Sequence, residues 1–118
     1  MGRTTRTVAA TLTVLLLASP RTPAAAEPQP DALRVYKKTG DKPLRLHLFF
    51  PPTHEATDAR PAIVFFFGGG WTGGGPTQFY HQAERLASRG MVAACAEYRT
   101  AKSHGTDPRA CVRDGKSA

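Results

Sequence analysis

The sequence predicts an α/β fold in which an antiparallel hairpin precedes a parallel strand–helix–strand unit. Two apolar runs with strand character, Ala62–Phe67 and Met91–Tyr98, are separated by a glycine-rich loop and an amphipathic segment. Before them, Leu33–Thr39 and Leu44–Phe50 alternate apolar and polar residues, with turn-forming residues 40–43 between them. Ligands bind strand–helix–strand units beyond the carboxyl ends of the strands, so the glycine-rich loop is the expected functional site.

The first 26 residues have the organisation of a secretory signal peptide. Arg3 and Arg6 supply a positive start, Val8–Ala18 an apolar stretch, and Ala24–Ala26 a small-residue cleavage motif. The apolar stretch is shorter than the roughly 20 residues that a bilayer span requires, so no stable membrane insertion is expected. We predict cleavage after the last residue of this motif, Ala26, and export to the periplasm or the extracellular space.

The rest of the chain is predicted to be a leader and one domain. Proline-rich residues 27–32 are expected to be a flexible leader, and residues 33–118 the domain portion. The formal charge of +7 falls to +4 when the three signal arginines leave, and the remaining basic residues are scattered. No nucleic-acid partner, metal or cofactor is therefore predicted. Ala62–Phe67 is apolar at every position, as a strand buried on both faces would be.

Two helices are predicted after the loop. Pro76 suits the first position of a helix, and Gly90 suits the stop that follows one. The pair Asp107-Pro108 predicts the start of a second helix. Residues 110–117, ACVRDGKS, approach a P-loop, and Gly115–Ala118 approach the start of a nucleophile elbow, but this helix would contain both. Neither motif is therefore expected to function.

The two cysteines and one arginine are assigned structural roles. Cys95 falls in an apolar strand and Cys111 in the second helix, which favours two buried free thiols, although export would permit a disulfide. Arg99 is expected to pair with Asp114 or with a loop carbonyl rather than with a substrate.

The glycine-rich loop has two competing interpretations. It places six glycines in positions 68–75, a density needed where N–H groups approach a ligand or where φ is positive. Gly68-x-Gly70-x-x-Gly73 matches the dinucleotide-binding spacing, and Glu97 stands where a ribose-binding acid could be. However, Gly74–Pro76 postpone the helix and Trp71 would crowd a pyrophosphate, so this oxidoreductase alternative is disfavoured.

The second interpretation is the oxyanion-hole loop of an α/β-hydrolase, in which a buried strand ends in consecutive glycines. The stretches AIVFFFGGGWTGGGP, QFYHQAERLASRG, MVAACAEYR and CVRDGKSA resemble exported bacterial esterases of the acetyl-esterase and hormone-sensitive-lipase-like group. That group has HGGGW and then a strand ending in DYR, whereas here Phe67 replaces the histidine and Glu97 the aspartate. The resemblance implies the N-terminal part of an α/β-hydrolase fold, and the sequence is expected to stop within a helix.

The resemblance implies a serine esterase with a small-molecule or carbohydrate ester as substrate. Gly69 and Gly70 would donate backbone N–H groups to the oxyanion, and Gly68 and Trp71 would contact the substrate, although Trp71 could equally cap the sheet. The implied triad of serine, acid and histidine is absent from these 118 residues, so the chain itself is expected to be inactive. The alternative is a non-catalytic module whose loop binds a small ligand or carbohydrate.

Overall fold

A mixed sheet organises the part of the chain that the computed structural model describes, residues 1–2 and 26–118. Nearly all of the predicted signal peptide lies outside these ranges, so export stays a prediction. The strands are β1 (Ala32–Lys37), β2 (Leu44–Phe49), β3 (Ala62–Phe66) and β4 (Val92–Ala96). The helices are α1 (Tyr80–Ala87), α2 (Ala101–His104) and α3 (Pro108–Gly115), and a 3-10 turn, Pro76–Phe79, precedes α1.

The four strands lie in the order β1-β2-β4-β3. The β1–β2 and β2–β4 pairs are antiparallel and the β3–β4 pair is parallel. Cys95 in β4 is opposite His47 on one side and Phe65 on the other. The predicted arrangement, an antiparallel hairpin followed by a parallel strand–helix–strand unit, is therefore confirmed.

The main core lies between α1 and one face of the sheet. Tyr80, Ala83 and Ala87 are the buried residues of α1, spaced so that they share one side of the helix. They pack against the buried strand residues Phe49, Ala93 and Cys95. The partly buried residues Ile63, Phe65 and Phe79 pack around this cluster. This packing holds α1 on the sheet directly after the glycine-rich loop.

The prediction that the strand beginning at Ala62 is buried on both faces is wrong for the described residues. β3 lies at the edge of their sheet, and its burial alternates. Phe65 stacks on Phe79 beside α1, whereas Val64 and Phe66 on the opposite face are 39% and 43% exposed. The strand is apolar, but the elements among the described residues leave this face partly exposed.

The start of the first strand differs from the predicted one. Residues 27–32 were expected to be a flexible leader, but Ala32 already lies in β1. The Asp31 N–H donates to the Leu48 carbonyl at 2.8 Å, and the Asp31 carboxylate accepts from the Phe50 N–H at 2.7 Å. Pairing with the end of β2 therefore orders the chain before the predicted domain start.

The helical segments also need correction. Pro76 opens a 3-10 turn rather than the α-helix, which begins at Tyr80. The segment between β4 and α3 contains a helix that was not predicted, α2, where Thr100 caps the helix and forms a capping box with Ser103. The predicted start of α3 is confirmed, since the Asp107 side chain accepts from the Ala110 N–H at 3.0 Å.

Both cysteines are buried free thiols, as predicted. Burial raises the pKa of Cys95 to about 11. The Cys111 thiol donates to the Arg99 carbonyl oxygen at 2.7 Å, so it holds α3 to the segment that follows β4. Among the described residues, no helix has the length and apolar character to cross a membrane, and no group of His, Cys, Asp or Glu could hold a metal ion.

Candidate functional site

The glycine-rich loop folds back on itself at the carboxyl end of β3. The Gly69 carbonyl accepts from the Thr72 N–H at 3.1 Å, which closes a tight turn. Gly69 and Gly74 have φ of 146° and 110°, and a Cβ on either would overlap backbone atoms across the turn. Glycine is therefore required at these two positions by close backbone approach as well as by φ.

The N–H groups of the loop differ in whether they have an acceptor. The Gly68 N–H donates to the Oε1 atom of Gln78 at 2.6 Å. Across residues 26–118, by contrast, no acceptor pairs with the N–H groups of Gly69 and Gly70. The N–H groups of Trp71, Gly74 and Gly75 are likewise unpaired within the same residues, so the two residues predicted as oxyanion donors belong to a larger set of free loop donors. Gly68, predicted to contact the substrate, has its N–H occupied in this structure.

Trp71 has a backbone conformation that is rare for a residue with a side chain. Its φ is 62°, the only positive φ of a non-glycine residue in the described part of the chain. The side chain is about half exposed and borders a shallow depression with Phe66 and Val112, on the α3 side of the sheet. Its position is compatible with a cap over the sheet, and contact with a substrate stays a prediction.

The short helix α2 holds the middle of the loop in place. The Ala101 N–H donates to the Trp71 carbonyl at 3.1 Å, and the Lys102 N–H donates to the Thr72 carbonyl at 2.8 Å. These are the first two N–H groups of the helix, which have no partner within it. The helix and the loop therefore satisfy each other's backbone groups.

Tyr98 braces the start of the loop. Its ring stacks on Phe67 with centroids 4.1 Å apart and an interplanar angle of 13°. Its hydroxyl donates to the Phe67 carbonyl oxygen. Burial raises the pKa of Tyr98, so the hydroxyl keeps its proton and remains a donor. The sequence did not reveal this contact.

A cavity of about 560 Å³ opens beside the far end of the loop. Its walls include Gly74–Pro76, Tyr98 and the polar side chains of Arg45, Glu97 and Ser103. Phe67 and Tyr98 line both this cavity and the depression at Trp71.

Glu97 is committed to a hydrogen-bond network that the sequence did not reveal. Its carboxylate accepts from the Arg45 N–H at 3.0 Å and lies 2.9 Å from Nε2 of His47. Nδ1 of His47 in turn contacts the hydroxyl of the buried Tyr80. Because both carboxylate oxygens have partners, Glu97 is not free to bind a ribose, which argues against the dinucleotide alternative.

Serine and histidine do not form a catalytic pair with a carboxylate in the described residues. Ser103 is the serine that contacts a histidine, with its Oγ atom 2.7 Å from Nδ1 of His104. That hydroxyl also belongs to the cap with Thr100, and Nε2 of His104 meets no hydrogen-bond partner.

The sheet order and the glycine loop after β3, with its free N–H groups, define part of an α/β-hydrolase fold. Structures of esterase 2 from the planctomycete Thermogutta terrifontis share this fold. The propionate-bound form is 46% identical to this chain, with a TM-score of 0.71, and the match covers 73% of this chain and 32% of the esterase. The forms phosphonylated by cyclosarin and phosphorylated by paraoxon match at the same identity and TM-score, over 33% of their length.

The similarity confirms the predicted resemblance to α/β-hydrolase esterases. This chain spans about a third of the length of these esterases. No protein-family model and no curated protein matches the sequence.

Proposed function

We propose that the whole protein is a serine esterase, in which this chain supplies the oxyanion loop. The observation that carries the proposal is the pair of free N–H groups at Gly69 and Gly70, just beyond the carboxyl end of a β-strand. In ester hydrolysis the carbonyl oxygen becomes negatively charged, and fixed N–H donors stabilise that charge. The loss of one such donor raises the barrier by about 3–4 kcal/mol in enzymes of this kind.

The structures of Thermogutta terrifontis esterase 2 support a class of substrate and a type of nucleophile for the present protein. Its structures hold propionate or butyrate, which are short-chain carboxylates, and it becomes phosphorylated by paraoxon. Organophosphates form such adducts with an activated nucleophile, as expected of a serine hydrolase. We infer that the present protein cleaves esters of short acyl groups, carried by a small alcohol or a carbohydrate.

This chain supplies one part of the esterase reaction and lacks another. The serine oxygen would attack the ester carbon, the alcohol would leave with a proton, and water would then release the acid. The 118 residues hold no G-x-S-x-G elbow. This chain therefore contributes charge stabilisation and not the attacking group, and it is expected to be inactive when expressed alone.

The proposal is tested with the full-length protein, p-nitrophenyl butyrate and paraoxon. We expect saturable hydrolysis, and complete inhibition that coincides with one phosphoryl adduct per chain by intact mass. The 118-residue chain serves as the control and should show neither. Binding of butyrate without turnover or adduct would instead support the non-catalytic binding module.

Export belongs to the same proposal. The charged start, the apolar stretch and the A-x-A motif in residues 1–26 support cleavage after Ala26. Exported protein should begin at Glu27 by intact mass, and retention of Met1 would contradict the proposal.

A further inference from the structure

We propose that Gln78 and Tyr98 are positioning residues that hold one peptide plane at both ends. The plane is the peptide unit between Phe67 and Gly68, which lies directly before the free donors Gly69 and Gly70. The inference rests on the proposed function, because it concerns how the oxyanion donors are aimed.

The geometry that carries the inference is the sharing of one peptide unit by two side chains. The carbonyl oxygen of Phe67 accepts from the Tyr98 hydroxyl. The N–H of the next residue, Gly68, donates to Oε1 of Gln78 at 2.6 Å. The carbonyl and the N–H of one peptide unit point in opposite directions, so the two bonds hold it from opposite sides.

The two clamping residues come from different sides of the loop. Tyr98 follows β4, whereas Gln78 lies in the 3-10 turn that leads into α1. Tyr98 is anchored to the sheet, because the N–H of its neighbour Glu97 donates to the Arg45 carbonyl at 2.9 Å just after β4. The helix α1 is fixed by its buried face against the sheet. The orientation of the peptide plane is therefore fixed relative to two rigid elements, the sheet and α1.

The loop needs these two bonds because a glycine does little to restrict rotation of the peptide units beside it. A peptide unit next to a glycine can turn at little steric cost, and turning this one would re-aim the N–H groups of Gly69 and Gly70. Donors that are aimed before the reaction stabilise the transition state without reorganisation. Phe67 has no polar group to brace the loop, so the bracing bonds come from Gln78 and Tyr98.

The kinetic test uses four variants of the full-length esterase. Gln78→Leu and Tyr98→Phe each remove one clamping bond, and the second keeps the stacked ring. We expect each to lower kcat about tenfold, the size of one net hydrogen bond, with KM little changed. Gln78→Glu keeps an acceptor oxygen and should retain most of kcat. Gln82→Leu changes an exposed glutamine further along α1 and should have no effect.

The double variant Gln78→Leu/Tyr98→Phe tests whether the two bonds act on one peptide plane. Loss of either bond already frees the plane, so the double variant should be little slower than the worse single variant. Multiplied losses would overturn the shared-plane argument. Unchanged kcat in both single variants, with activity intact, would overturn the inference as a whole.

A second measurement separates this inference from the proposed function. In full-length protein labelled with ¹⁵N-glycine and without substrate, the Gly68 amide should exchange slowly with solvent. It should exchange much faster in Gln78→Leu and slowly again in Gln78→Glu. That result supports the clamp even if the protein hydrolyses no ester. An exchange rate unchanged by Gln78→Leu contradicts the clamp, whatever the activity. If Gln78→Leu does not fold, Tyr98→Phe is compared with the unchanged protein in the same way.

Discussion

The completely buried carboxylate of Asp114 accepts hydrogen bonds from two nitrogens of the Arg99 guanidinium. Nε of Arg99 lies 2.8 Å from Oδ2, and the second nitrogen lies 2.9 Å from Oδ1. Lys37 adds a third contact at 2.9 Å. The carboxylate therefore joins β1, the segment after β4 and α3, which confirms the predicted pairing of Arg99 with Asp114.

Replacement of Asp114 should destabilise the fold. Asp114→Asn keeps the shape but removes the charge, leaving Arg99 and Lys37 without a counter-ion. We expect a loss of about 2–3 kcal/mol in the free energy of unfolding, measured by urea denaturation of the full-length protein. Asp41→Asn, in the exposed hairpin turn, is the matched control and should change stability little. Equal stability of both variants would contradict the structural role.

The same carboxylate should make stability depend on pH in the acid range. Burial alone would raise the pKa of Asp114, but hydrogen bonds from Arg99 and Lys37 outweigh it and lower the pKa to about 2. A depressed pKa contributes stability above the ordinary value of 3.8, and this contribution is lost as pH falls toward 2. We expect a contribution of about 2 kcal/mol, seen by urea denaturation as a function of pH. Asp114→Asn should lack this component, and an identical pH profile would refute the assignment.

A matched pair of glycines separates backbone strain from function. Gly70 and Gly40 have φ of 60° and 56°, and a Cβ on either meets no atom within 4 Å. Alanine at either position should therefore lower the free energy of unfolding by a similar amount, about 1–2 kcal/mol. Only Gly70→Ala should lower kcat of the full-length enzyme, because it adds a methyl group beside the free donors. A similar kcat for the two variants would show that the loop does not contact the reacting group.

The two thiols should be inert in the folded protein. Burial raises the pKa of both Cys95 and Cys111, so little thiolate is present at neutral pH. We expect less than one thiol per chain to react with a disulfide reagent in native buffer, and both to react in denaturant. Cysteines elsewhere in the full-length protein are distinguished by peptide mapping. A Cys95–Cys111 bridge in the non-reduced map would contradict the structure.

The strands and the larger helices could be predicted because their signals are local. Alternation marked β1 and β2, a continuous apolar run marked β4, and the Asp107-Pro108 pair marked the start of α3. The exposure of β3 could not be predicted, because an apolar run reports which residues favour burial and not which elements are present to cover them.

The site was predicted only in part. The glycine density indicated where close approach and positive φ occur, and Gly69 and Gly70 have both free N–H groups and positive φ. The roles of Gln78 and Tyr98 depend on contacts between residues 10 and 31 positions apart. No periodicity or short motif encodes such contacts. The four-residue helix α2 was missed because the loop carbonyls complete its hydrogen bonding.

The exchange of carbonyl and N–H partners between α2 and the loop makes the two segments one cooperative unit. All four initial N–H groups of α2 are paired, two with Thr100 and two with the carbonyls of Trp71 and Thr72. The loop therefore cannot open at Trp71 without releasing the first turn of α2. Solvent exchange of the Ala101 and Lys102 amide protons therefore reports opening of the loop. These residues lie outside the loop, so the opening can be observed without replacing any of its glycines.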